Sequence, residues 1–171
     1  MKNLDKIKTF ISESEQGTIF TTPEWLEAVA PGKWDYIINE SAGSIKACMP
    51  IILNEKLGLT ICNMPPFTQS LGIMYPAYEG KYAEVLTRKM NALSDLISLI
   101  PKNSYFRQRL HPSITNWLPF YWREYNQSTR YTYIIKDLAN QDKIWKSFRS
   151  NIRQEIRKAS KTIKILSLIH I

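Results

Sequence analysis

WDYIINESAGSIKACMPIIL, residues 34–53, decides the class of fold. Trp34 to Asn39 is rich in aromatic and β-branched residues and predicts a strand. Ser41-Ala42-Gly43-Ser44 is turn chemistry, and Ile45 to Leu53 predicts the returning strand of a hairpin. Pro50 carries no backbone N–H, so it belongs at a bulge or an edge of the sheet. Leu57-Gly58 turns the chain again into Leu59 to Met64. Pro65-Pro66 interrupts that stretch, and Gln69 to Met74 resumes extended structure.

On the N-terminal side, Leu4, Ile7, Phe10 and Ile11 recur at helical spacing. Gly17 breaks the chain, and Thr18 to Thr21 reads as a short β-like stretch. Thr22-Pro23-Glu24 is a helix start: a capping hydroxyl, a proline suited to the first turn and an acid at the positive end of the dipole. That helix ends at Pro31-Gly32.

On the C-terminal side, Lys81 to Ile100 has the longest helical period in the chain, and Pro101 terminates it. Tyr105 to Leu110 alternates like a strand. Asn116 to Tyr125 predicts a short helix or turn, and Arg130 to Ile135 (RYTYII) a further strand. Asn140 to Lys161 predicts one long helix with a stripe of Trp145, Phe148, Ile152, Ile156 and Ala159. A meander followed by alternating helices and strands gives an α/β (α+β) fold, with a mixed, mostly antiparallel sheet flanked by helices.

Composition narrows the function classes. Hydrophobic residues make up 44% and aromatics 12% of 171 residues, enough to build a core. No run of 18 apolar residues predicts a membrane span, and Met1 to Ser14 lacks the apolar block of a signal peptide. Cys48 and Cys62 lie in apolar strand-like runs and fit a reducing cytoplasm, with a disulfide the lesser reading. No metal-ligand spacing is present, and His111 and His170 stand far apart.

The net charge of +8 is concentrated. Lys143, Lys146, Arg149, Arg153, Arg157, Lys158, Lys161 and Lys164 face Glu155 alone in residues 143–164. Lys146, Arg149, Arg153 and Arg157 recur every three or four residues and form a candidate phosphate- or anion-binding face. The alternative is the solvated side of an amphipathic helix.

Three pieces in order carry a family resemblance. They are Phe20-Thr21-Thr22-Pro23-Glu24-Trp25-Leu26 with the 34–53 hairpin, Pro65-Pro66-Phe67-Thr68-Gln69-Ser70-Leu71-Gly72, and Arg130-Tyr131-Thr132-Tyr133 with the 144–159 run. Together they resemble the FemAB-like, GNAT-related acyltransferases over nearly the whole chain. The resemblance implies a GNAT-like N-terminal lobe at residues 1–138. A basic helix at 139–165 then opens a second lobe that the sequence does not contain. It implies transfer of an acyl or aminoacyl group to an amine acceptor, among them cell-wall precursors. Acyl-CoA or aminoacyl-tRNA is then the donor, held by the second lobe, and no cofactor belongs to this part. The 171 residues alone are then expected to be inactive.

Residues 166–171, Leu-Ser-Leu-Ile-His-Ile, read as the translation of a sequencing adapter, with a genuine apolar strand as the alternative. Gln69-Ser70-Leu71-Gly72-Ile73-Met74 is the nearest match to a phosphate-cradling Gln/Arg-x-x-Gly-x-Gly/Ala loop but lacks its second glycine. The sharper reading of this region has Thr68, Gln69 and Tyr75 lining a substrate cleft.

The catalytic base is unassigned. Glu24, Glu40 and Asp35 are carboxylates that read first as caps or surface groups. Tyr105, Phe106, Trp117, Phe120, Tyr121, Trp122, Tyr131 and Tyr133 form either core or, with Arg107, Arg109, Arg123 and Arg130, a stacking platform for bases. The rival to the transferase is a non-enzymatic domain that binds nucleic acid or an anionic surface through residues 143–164.

Overall fold

The computed structural model describes residues 3–102, 105–135 and 137–164, so the 166–171 hexapeptide lies outside the described residues. The chain divides into two compact units, 1–127 and 128–171.

The first unit begins with α1 (Leu4–Glu13), whose Asn3 side chain accepts from the Lys6 N–H, and α2 (Pro23–Val29), capped by Thr22 as its sequence predicts. Between them, Ile19–Thr21 forms a 3-10 turn rather than the expected β-like stretch. The reason is local: Thr21 Oγ1 accepts from the Thr18 N–H and donates to the Thr18 carbonyl, which closes a turn.

β1 (Trp34–Ser41) and β2 (Ser44–Lys56) pair antiparallel around Ala42-Gly43, and β3 (Leu59–Cys62) pairs antiparallel with β2 around Leu57-Gly58. Both two-residue turns have positive φ at each residue, the twist that matches paired strands. α3 (Tyr82–Ser98) then crosses over to β4 (Tyr105–Phe106), which lies parallel to β3, and α4 (Leu118–Tyr121) follows. The sheet order is β1-β2-β3-β4, a mixed sheet flanked by helices.

Alternation along β2 sorts its side chains. Ala47, Met49 and Ile51 pack with Leu93, Leu96 and Ile97 of α3, while Ile45, Cys48 and Ile52 pack with Ile7 and Ile11 of α1 and Leu26 of α2. Helices therefore cover both faces of the sheet, and burying the Leu, Ile and Met side chains among these contributes roughly 1.5–3 kcal/mol each.

One buried polar group ties the N-terminal segment to this sheet. Gln16 accepts from the Tyr75 N–H at 3.1 Å and donates to Ser113 Oγ at 3.1 Å. Ser113 in turn lies 3.0 Å from His111 Nδ1.

The second unit departs from expectation in two ways. Residues 130–135 form no strand: their alternation fits the pleat, but no ladder partner pairs with them among the described residues. The long basic helix is two helices, α5 (Gln141–Ser147) and α6 (Ser150–Ala159). Phe148 and Arg149 between them are extended, with ψ of 144° and 152°. Ser147 Oγ donates to the Ile144 carbonyl at 2.6 Å, a bond that competes with continued helix.

Candidate functional site

The site begins with a gap in the sheet. β2 pairs with β3 at Leu53↔Cys62 and, five residues earlier, with Met74: Cys48 and Met74 exchange both backbone bonds at 3.0 and 2.8 Å. Between Cys62 and Leu71 the neighbouring chain leaves the sheet and comes back. The 107–111 stretch beyond it holds both ends. The Arg107 N–H donates to the Cys62 carbonyl and the Leu71 N–H to the Arg109 carbonyl, each at 2.8 Å.

Pro50 belongs to this gap. It sits within β2 opposite Tyr36, in a central strand rather than at the sheet's outer edge. Residues two apart in a strand direct their backbone groups to the same neighbour. Pro50 therefore faces the side on which Cys48 meets Met74, where the adjacent strand has departed and no ladder donor is needed. Its carbonyl accepts instead from the Gln108 side-chain amide at 2.7 Å. The sheet supplies an internal edge, which satisfies the restriction on a strand proline.

The departing residues 63–70 wall an open groove of about 480 Å³, with Arg107 and Arg109 on its far side. Pro65-Pro66 stiffens the loop. Phe67 stands at its tip with φ of 57° and 88% exposure, a left-handed conformation costly for an aromatic residue. Thr68 Oγ1 donates to the Pro66 carbonyl at 3.1 Å and accepts from Trp25 Nε1 at 3.0 Å, which anchors the loop to α2.

Thr68 and Gln69 therefore do share a groove. Gln69 is exposed in it, whereas Thr68 is buried with both its bonds directed into the protein. Tyr75 lies elsewhere, buried in the core, and burial raises its hydroxyl pKa far above the usual range.

Gly72 sets how closely its own segment approaches the 107–111 stretch. A Cβ there would lie 3.0 Å from Leu110 Cα and 3.3 Å from the His111 nitrogen, so its role is close backbone packing.

Beyond Phe106 the strand-like alternation of exposure continues without a formal ladder. Phe106, Gln108 and Leu110 are half-buried, while Tyr105, Arg107 and Arg109 are exposed. Arg107 and Arg109 consequently share one side. Neither forms an ion pair among the described residues, and the groove's described lining contains no carboxylate.

The three candidate bases lie outside this groove. Glu24 pairs with Lys8 at 2.5 Å, which holds its carboxyl below the usual range. Glu40 pairs with Lys6 at 2.6 Å, and Asp35 Oδ1 accepts from the Tyr36 N–H at 2.7 Å.

The aromatic residues divide. Phe106, Phe120 and Tyr125 pack together at 5.3–6.2 Å between ring centres, while Tyr121, Trp122, Tyr131 and Tyr133 are exposed. Cys48 and Cys62 are both buried, and burial pushes the Cys62 thiol up to about 11.

Within the second unit, the helix break separates the proposed cationic face. Lys146 lies on α5, Arg149 at the break, and Arg153 and Arg157 on α6. The Arg157 guanidinium sits over the Trp145 ring at 5.5 Å.

No family model matches the chain, and no curated protein or solved structure matches it. Among the described residues no cluster of His, Cys, Asp or Glu is suited to a metal, and no helix is long and apolar enough to cross a membrane.

The sequence alone marked Thr68 and Gln69 but missed the two arginines as groove residues. The signal available was their spacing of two in an alternating stretch, which puts both on the face opposite Phe106 and Gln108.

Proposed function

We propose that the 1–127 unit is the acceptor-recognising lobe of an acyl- or aminoacyltransferase of FemAB-like, GNAT-related type. The observation that supports this reading best is the internal gap: a strand leaves the middle of a mixed sheet and walls an open groove with Thr68 and Gln69 at its side. Acyl transfer to an amine needs a site that orients the acceptor and excludes competing nucleophiles. A groove built on pinned strand ends offers such a rigid platform.

In this reading the donor, acyl-CoA or aminoacyl-tRNA, is bound by a second lobe of the same protein, and the reaction takes place in the cytoplasm. The groove orients the amine, and the base that accepts its proton comes from outside the described lining. The test incubates the 171-residue chain, alone and joined to a candidate second lobe, with labelled thioester and aminoacyl-tRNA donors and amine acceptors. Transfer is expected only from the longer protein. Transfer by the 171 residues alone refutes the division of labour.

A second reading is favoured by α6. Arg149, Arg153 and Lys161 make no ion pair among the described residues, and Ile152 and Ile156 are exposed beside them. This segment then binds a polyanion such as tRNA or an anionic surface by charge neutralisation. Binding is expected to weaken steeply with added salt and to vanish in the Arg149→Ala/Arg153→Ala/Arg157→Ala variant. Absence of binding at low salt ends this second reading.

A further inference from the structure

We propose that the groove between residues 63–69 and the Arg107/Arg109 segment is a binding site for an organic phosphate. The two arginines take the phosphate, and Phe67 covers its organic part. This rests on the groove being the acceptor site described above, and names the chemistry of what enters it.

Three observations carry it. First, Arg107 and Arg109 stand side by side. Both are exposed and both line the groove, which lets two guanidinium forks converge on one phosphate group or straddle two. Neither forms an ion pair with a carboxylate among the described residues.

Second, the polar side chains that border the arginines are uncharged and include amide donors. Asn63 Oδ1 accepts from the Met64 N–H at 2.8 Å, and Asn63 and Gln69 are both exposed with an amide NH2 to donate. Thr68 is spent on Trp25 and Pro66. A rim of cations and amide donors without a carboxylate repels a metal ion or an amine at this point and attracts an anion. The amine of an acceptor would then lie at the other end of the molecule.

Third, Phe67 is held out of the core. The preceding prolines and the Thr68 anchor fix it at positive φ and 88% exposure over the same groove. Strain of this kind persists where the surrounding structure enforces it, and it concentrates at binding sites. An aromatic ring beside two arginines suits a ligand that is charged at one end and flat or apolar next to it. A carboxylate would engage one guanidinium fork and leave the second unpaired; a dianionic phosphate engages both.

The test is a titration of the isotopically labelled 171-residue chain followed by backbone N–H shifts, at constant ionic strength. The probes are inorganic phosphate, phenyl phosphate and succinate. Saturable shifts centred on residues 63, 67–69 and 107–109 are expected, with phenyl phosphate tighter than inorganic phosphate and succinate weakest. Arg107→Ala and Arg109→Ala each weaken phenyl phosphate about tenfold or more, the range of a lost charge-assisted contact. Phe67→Ala removes the preference for the phenyl ester and leaves inorganic phosphate binding as it was. Lys56→Ala, which removes an exposed cation outside the groove's lining, changes nothing.

The proposal is overturned if no saturable shift occurs, if shifts fall only on residues 149–161, or if the double arginine variant titrates like the parent. It is equally overturned if succinate matches phenyl phosphate, or if Phe67→Ala leaves the ester preference intact. No acyl donor enters the experiment. Its failure therefore counts against the phosphate site alone, and failure of the transferase assay leaves it standing.

Discussion

Replacing Gly72 by alanine tests whether the groove rests on close backbone packing. The added methyl would lie 3.0 Å from Leu110 Cα and 3.3 Å from the His111 nitrogen, both main-chain atoms that no rotamer change can move. The two strand segments must separate by a few tenths of an ångström. Overpacking of this kind costs about 1–3 kcal/mol. The neighbouring Leu71–Arg109 backbone bond, 2.8 Å long, stretches with it and adds up to about 1 kcal/mol. The total is about 1–4 kcal/mol, or a melting point lowered by roughly 3–15 °C for a unit of this size. Gly43→Ala is the control. Its methyl meets no atom, but φ of 74° strains any side chain, so about 1 kcal/mol is expected. Thermal melts of both variants, followed by near-UV circular dichroism, decide the matter. If Gly72→Ala melts no lower than Gly43→Ala, the argument from strand approach is wrong.

Other outcomes follow from single residues. Gly17→Ala would drive a methyl into the Ile11 carbonyl, so the variant is expected to lose its cooperative melt or its soluble yield. A melt equal to the parent's would show that the turn after α1 can shift. Tyr36→Phe removes a donor 2.6 Å from the buried Thr21 carbonyl and should cost about 1–3 kcal/mol in urea unfolding. Raising the pH should destabilise the first unit above about 9. Burial raises the pKa of Tyr36, Tyr75 and Cys62 in the folded state, so unfolding releases protons that the native chain retains. Their contribution is intact below the unfolded values and declines as pH climbs towards 11. A urea midpoint that stays level from pH 8 to 11 would contradict it. Alkylation of Cys62 at pH 7.5 should be slow until urea opens the fold, because its thiol is buried and its pKa raised.

Local chemistry was the part of this fold legible in the sequence. The Thr22 cap, the glycine hairpin turns and the α3 period all express interactions within a few residues. The errors came where long-range partners decide. RYTYII has every local mark of a strand and no ladder to join among the described residues. Residues 140–161 keep one hydrophobic period across a break that Ser147 and the extended Phe148-Arg149 impose. Pro50 calls for a bulge or an edge, and it sits where residues 63–70 leave the sheet, a gap that only the chain beyond it creates. The groove followed the same rule: Thr68 and Gln69 were visible beside the prolines. Arg107 and Arg109 joined them only through the parallel crossover.

The way the excursion is fastened separates what must be kept from what can drift. Register is carried by Cys62 on one side and Leu71 on the other, each bonded to the same flanking segment. The residues between them answer to no ladder. Their number and chemistry can change from one descendant of this gene to another while the β framework stays as it is. Insertions, deletions and swaps of polarity are therefore expected to accumulate in this short span ahead of any other part of the sheet, and new preferences for small molecules with them.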